Sequence, residues 1–80
     1  MKPEEYDVVR LLRDLPEHNL SAGSTGAVVM DYSKHSGERL PAAYEVEFVD
    51  SAGFTQALVT VAEDDLEVVS RPGSGDNRSQ

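Results

Sequence analysis

Two stretches of this chain constrain its fold more than any others. Gly23-Ser24-Thr25-Gly26-Ala27-Val28-Val29 places two glycines around a turn and starts a β-branched run directly after them. Downstream, Tyr44-Glu45-Val46-Glu47-Phe48-Val49 alternates apolar and acidic residues, the period of a half-buried strand. Together they describe a small, strongly bent β-sheet that closes on itself. Gly23 and Gly26 are assigned positive φ or a close backbone approach, the two conditions that require glycine. The pattern specifies architecture far better than activity.

At 80 residues the chain is expected to form one domain. Such a domain buries only about 60% of the surface its unfolded chain exposes. Little volume is left for a ligand cavity of the usual ~300–1,000 Å³. An enzyme acting alone is therefore disfavoured, and no cofactor is expected. The absence of cysteine excludes disulfides, thiolate metal sites and thiol nucleophiles, and favours a reducing compartment. The start, Met1-Lys2-Pro3-Glu4-Glu5, is polar and acidic, so no signal peptide is expected. No apolar run approaches the ~20 residues that cross a bilayer. The expectation is a soluble cytoplasmic protein.

The net charge is −8, and the seven Lys and Arg residues are scattered from Lys2 to Arg78. Such a surface repels phosphate backbones and anionic lipid heads. Neither nucleic acid nor membrane is expected as a partner. The charge serves solubility, and it complements a basic protein surface.

Five short strands are read along the chain. Tyr6–Leu12 is the first, with a helix as its rival because Val8, Leu11 and Leu12 also fit helical spacing; short length and Pro16 weigh against the helix. Residues 14–24 are a long loop with one buried anchor, Leu20. Thr25–Tyr32 is the second strand, and 33–41 a polar loop whose order is left open. Ala43–Asp50 is the third. Asp50-Ser51-Ala52-Gly53 has the residues of a type I hairpin turn with a bulge. Phe54–Val61 is the fourth strand, Ala62–Asp65 a tight acidic helical turn, and Leu66–Val69 the fifth. Residues 1–5 are expected to be a disordered lead, 6–70 the barrel, and 71–80 a disordered tail.

If Val49 pairs with Phe54, then Tyr44, Val46 and Phe48 share the core face with Val59, Ala57 and Thr55. The other face carries Glu45, Glu47, Val49, Phe54, Gln56 and Leu58. An apolar patch with an acidic rim is a protein-docking candidate unless a loop or the lead covers it. A one-residue slip would carry Leu58 inward.

Other candidate chemistry is thinner. His18 and His35 lie in loops without partners at metal-ligand spacing. Glu63-Asp64-Asp65 lacks the calcium-loop pattern and reads as solvated turn acids or a partner-facing tip. Glu45 and Glu47 stand roughly 6–7 Å apart along a strand, a separation suited to a glycosidase pair, but no sugar cleft is in prospect. Gly23-Ser24-Thr25-Gly26 leads into a strand and lacks the ending of a phosphate loop.

The sequence resembles a bacterial family of small stand-alone proteins known as a domain of unknown function. The likeness rests on Tyr6-Asp7-Val8-Val9, Asp14-Leu15-Pro16-Glu17-His18-Asn19-Leu20, the Gly23–Val29 stretch, Tyr44–Asp50, Gly53, Thr55 and Asp65-Leu66, and covers residues 6–69. It implies a Src-homology-3-like (SH3-like) barrel and, from toxin-like or nuclease-like gene neighbours, an immunity or antitoxin role. It supplies no catalytic motif. A weaker likeness is to the barrel domain of nitrile hydratase β-subunits and their accessory proteins. The Gly-x-x-Gly-x-Val element is also similar to ribosomal and transcription-factor barrels, which are basic where this chain is acidic.

The resulting expectation is an all-β protein: a small five-stranded SH3-like barrel with one short helical turn before the last strand. Its function is expected to be non-enzymatic protein binding, with an immunity or antitoxin-like protein masking a basic partner as the sharper form. The partner-binding residues are Glu45, Glu47, Phe54, Leu58, Glu63, Asp64 and Asp65, the acids mimicking phosphates. The alternative is an accessory subunit or chaperone-like barrel of a larger enzyme, docking through Phe54 and Leu58. A homodimer is left open.

Overall fold

A computed structural model describes residues 2–32 and 42–72. The polar loop at 33–41, with His35, and the tail from residue 73 onward lie outside the described residues. The structure is all-β, with five strands: β1 (Val8–Leu11), β2 (Thr25–Asp31), β3 (Ala43–Val49), β4 (Thr55–Ala62) and β5 (Leu66–Ser70). They form one antiparallel sheet in the order β4-β3-β2-β1-β5. A 3-10 turn, Glu63–Asp65, precedes the last strand as expected. That turn joins β4 to β5 without a ladder between them, so the hydrogen-bonded order ends on these two strands.

One face of the sheet is the core. Val9 and Leu11 of β1, Val28 of β2, Tyr44, Val46 and Phe48 of β3, Val59 and Val61 of β4 and Leu66 of β5 are buried, joined by Leu15 and Leu20 from the first loop. Among the described residues no α-helix is present to cover this face. Its burial therefore comes from the sheet bending over its own side chains, with the 15–20 loop as a plug.

The long first loop is built rather than slack. Pro16–His18 forms a 3-10 turn that ends at Asn19, whose φ of 59° is a left-handed conformation asparagine tolerates. Leu15 and Leu20 exchange backbone hydrogen bonds of 2.8 and 3.1 Å, which turns both side chains into the core. Gly23 takes φ +94°. Gly26 meets the other condition: a Cβ there would stand 2.6 Å from the Glu47 carbonyl and 2.9 Å from both Phe48 Cδ1 and Val46 Cγ1. β2 thus crosses β3 at a distance that only glycine permits.

The β3–β4 pairing corrects the expected register. Asp50 accepts from Gly53 N–H, and Gly53 has φ +89°, the type I turn with a bulge read from the sequence. This turn pairs Asp50, not Val49, with Phe54, an offset of one residue. A second bulge at Gln56 adds another, so that Val49 faces Thr55 but Phe48 faces Ala57, Val46 faces Val59 and Tyr44 faces Val61. Two offsets restore the parity that one alone would break. Ala57 and Val59 stay on the core side, Val61 joins them, and Leu58 stays outside. Thr55, expected inward, is exposed.

The first strand is shorter than expected at both ends. Glu4–Asp7 is a turn closed by Asp7 N–H to Glu4 C=O at 3.0 Å, with Tyr6 at φ 73°. Leu12 leaves the ladder to bond the Asp65 carbonyl at 2.9 Å.

The boundaries of the ordered domain also move outward. Pro3 is buried, and Arg71, assigned to the tail, clasps Asp7. Its Nε and Nη2 donate to the two carboxylate oxygens at 2.9 and 2.8 Å, and Nη2 also reaches the Lys2 carbonyl at 2.9 Å. Asp7 is 1% exposed and accepts from Glu4 N–H at 2.8 Å. Arg71 holds the Asp7 carboxyl below the usual range, with the Glu4 N–H assisting and burial opposing.

Replacing Gly26 by alanine is expected to cost about 1–3 kcal/mol in urea unfolding, because the added methyl meets backbone and cannot be relieved by a rotamer. Removing Arg71 leaves a buried unpaired carboxylate. Because the pair depresses the Asp7 pKa, its contribution is complete above the unfolded value and is lost as pH falls through the folded one. Arg71→Ala should therefore melt well below the wild type at pH 7, and thermal scans should show the gap closing as pH falls below about 4. A gap that does not vary with pH would show that the pair contributes nothing.

Candidate functional site

The alternation that buries Tyr44, Val46 and Phe48 turns Glu45 and Glu47 to the outer face. Both carboxylates are held by hydroxyls. Glu45 accepts from Thr60 at 2.7 Å and from the Tyr32 phenol at 3.3 Å, and Glu47 accepts from Thr55. Thr60 lies directly opposite Glu45 on β4, whereas Thr55 reaches Glu47 because the bulge at Gln56 brings it outward. Desolvation first, and the Glu45 carboxylate second, push the Tyr32 phenol above its usual range. It stays a proton donor to Glu45 at neutral pH.

Apolar side chains frame the two acids. Leu58, 56% exposed, stands opposite Glu47. Met30 stands opposite Glu45, and a bulge between Val28 and Met30 turns both Val29 and Met30 outward. Val49 completes the frame. Among the described residues neither glutamate meets a cation; the ion pairs are Arg71–Asp7, Arg10–Glu67 at 3.0 Å and Arg13–Asp65 at 3.0 Å.

The structure brings together Glu45, Glu47 and Leu58 but separates the other candidates. Phe54, 72% exposed, sits at the hairpin tip before β4. Since Thr55 points outward, alternation sends Phe54 the opposite way. Glu63, Asp64 and Asp65 follow the other end of β4, about 27 Å from Phe54 along this eight-residue strand but only three residues past Thr60, the partner of Glu45. Asp65 is also engaged by Arg13. Sequence reasoning missed Met30, Val29 and the threonine hydroxyls. Strict alternation sends Met30 and Thr55 inward, and no sequence signal marks the two bulges that reverse them.

Two open grooves lie away from this face. One, of about 370 Å³, runs along Leu12, Leu66, Glu67 and Val68. The other, of about 270 Å³, is formed by Asp14, Pro16, Asn19, Leu20 and Ser21. Neither includes Glu45 or Glu47, and Glu67 is tied to Arg10. Among the described residues no group of three or more His, Cys, Asp or Glu is placed to hold a metal. Among the same residues no helix is long and apolar enough to cross a membrane.

No curated protein and no solved structure matches the chain. A family model described as a domain of unknown function, DUF4926, matches residues 5–68, from the turn before β1 into β5. The match spans β1 to β4 and most of β5, and the chain belongs to the DUF4926 family.

Proposed function

We propose that this protein is a non-enzymatic interaction module that docks a basic protein surface onto the outer face of β2, β3 and β4. The observation that carries the reading is the pair Glu45 and Glu47, held in place by hydroxyls, unpaired with any cation among the described residues and framed by Leu58, Met30 and Val49. A carboxylate already oriented by a hydrogen bond loses less freedom when a lysine or arginine arrives. The surrounding apolar groups exclude water from the contact, where charge pairs strengthen. The net charge of −8 steers a basic partner to the encounter.

In its sharper form the module is an immunity or antitoxin-like protein of a bacterial cytoplasm. Its two glutamates mimic phosphates and cover the basic groove of a nuclease-like partner, and the bent sheet is an SH3-like barrel. Nucleic acid is an unsuitable partner. Of the four described cations, Arg10, Arg13 and Arg71 are each held by an acid, leaving Lys2. A second reading, an accessory barrel of a larger enzyme, is favoured by the exposure of Phe54 and Leu58. It predicts an apolar contact insensitive to salt.

The two readings separate in a pull-down from the native host at low and high salt. The expected result is a basic protein that elutes with salt and is no longer captured by the Glu45→Lys/Glu47→Lys double variant. Reversing two charges at the centre of the contact sets like charges against the partner, which slows association and speeds dissociation. Capture of the same protein by the double variant would show that the face is wrong. A salt-resistant enzyme subunit lost with Leu58→Asp and Phe54→Ala would establish the accessory reading instead.

A further inference from the structure

The two strands that end the ladder are protected very differently. β5 has five residues, carries Glu67 locked to Arg10, is bulged beside Val68, and runs straight into Arg71 and Pro72. Short length, charge, bulging and proline are the usual devices that keep an edge from pairing with another chain. β4 has eight residues, Thr55-Gln56-Ala57-Leu58-Val59-Thr60-Val61-Ala62, with no charge, no proline and no glycine. Its bulge at Gln56 lies at the start and leaves Ala57–Ala62 regular. In a chain that is 28% charged, this uncharged edge, rich in β-formers, is an anomaly.

We propose that β4 pairs antiparallel with β4 of a second copy, about a two-fold axis through Leu58, to form a symmetric dimer with one continuous ten-stranded sheet. The proposal stands on an edge that no strand covers among the described residues and on its charge pattern, independently of which basic protein the acidic face binds. Antiparallel partners share a face, so an axis at Leu58 brings this exposed leucine onto its own copy and sets Ala57 against Val59, while the bulged Gln56, whose side chain reaches the Asn19 carbonyl at 3.4 Å, ends the ladder. Val59 is already buried and would gain little as the axis. An acidic protein can meet itself only along a neutral seam, and β4 is one. Glu47 lies opposite Leu58, one strand in from the edge. The two Glu47 carboxylates of the dimer are then three strand spacings apart, about 14 Å, beyond the ~8 Å screening length of physiological salt. Glu63 and Asp64 follow the strand and fall outside the paired stretch. An isologous contact of this kind closes on itself and leaves the protected β5 edges outermost.

The test is sedimentation equilibrium of the full chain from micromolar to submillimolar concentration, at low and high salt. The expected result is a reversible dimer of the 8.7 kDa chain that tightens with salt, opposite to the behaviour expected of the basic-partner contact. Leu58→Lys, at an exposed position, should keep the wild-type circular dichroism and weaken the dimer at least about tenfold. The chain has no cysteine, so Leu58→Cys gives a separate readout. It should form an intermolecular disulfide on mild oxidation, since residues on the axis have Cα atoms about 4.5–5.5 Å apart. Val49→Cys, exposed on β3, should not. A monomer at every concentration would overturn the proposal, even if an extended peptide were found to pair with β4. So would a dimer indifferent to Leu58→Lys, or one cross-linked equally through Val49→Cys.

Discussion

A single sheet with no α-helix laid over it among the described residues has to bury its own apolar face, and most of this structure follows from that requirement. Each strand turns alternate residues inward, and the sheet must curve tightly enough for those residues to meet. Curvature depends on close strand crossings, and at Gly26 the backbone of β3 comes near enough to β2 to leave no room for a Cβ. The 15–20 loop closes one end of the core with Leu15 and Leu20. Arg71 closes the side where β1, β5 and the leading turn meet, by binding the buried Asp7.

The parts of the fold legible in the sequence were those governed by local chemistry. The β3 alternation, the Asp50–Gly53 turn, the buried Leu20, and the roles of Gly23 and Gly26 follow from residue types at short spacing. The bulges at Gln56 and Val29 do not. Each depends on the register of a neighbouring strand, yet each decides what the outer face displays. Arg71 was equally invisible, because a lone arginine followed by proline, glycine and serine has the composition of a tail. Its partner is 64 positions away in sequence. Of the candidate site, the pair Glu45 and Glu47 with Leu58 was legible from period-two patterning alone. That Phe54 and Glu63–Asp65 lie at opposite ends of β4 required the three-dimensional path of that strand.

The outer face shows how a small sheet can make a defined surface. Both glutamates accept hydrogen bonds from neighbouring hydroxyls, so their direction is set by the sheet and not by chance rotamers. Threonine suits this task. Its β-branch favours a strand, and its hydroxyl reaches a carboxylate on the adjoining one. The bulge at Gln56 is what makes the second such contact available, since Thr55 would otherwise face the core.

The order of strands in the sheet also has a consequence for how the molecule is made. β1 lies between β2 and β5, so the first strand to be synthesised has as one neighbour the last. Asp7 stays without its cation until Arg71 has been added. A nascent chain can form the β2-β3-β4 meander early, because its contacts are local in sequence. It cannot complete the sheet until the final strand clears the ribosome. Such distant closure slows completion of the sheet, because the loop between β1 and β5 has to be closed before their contacts form.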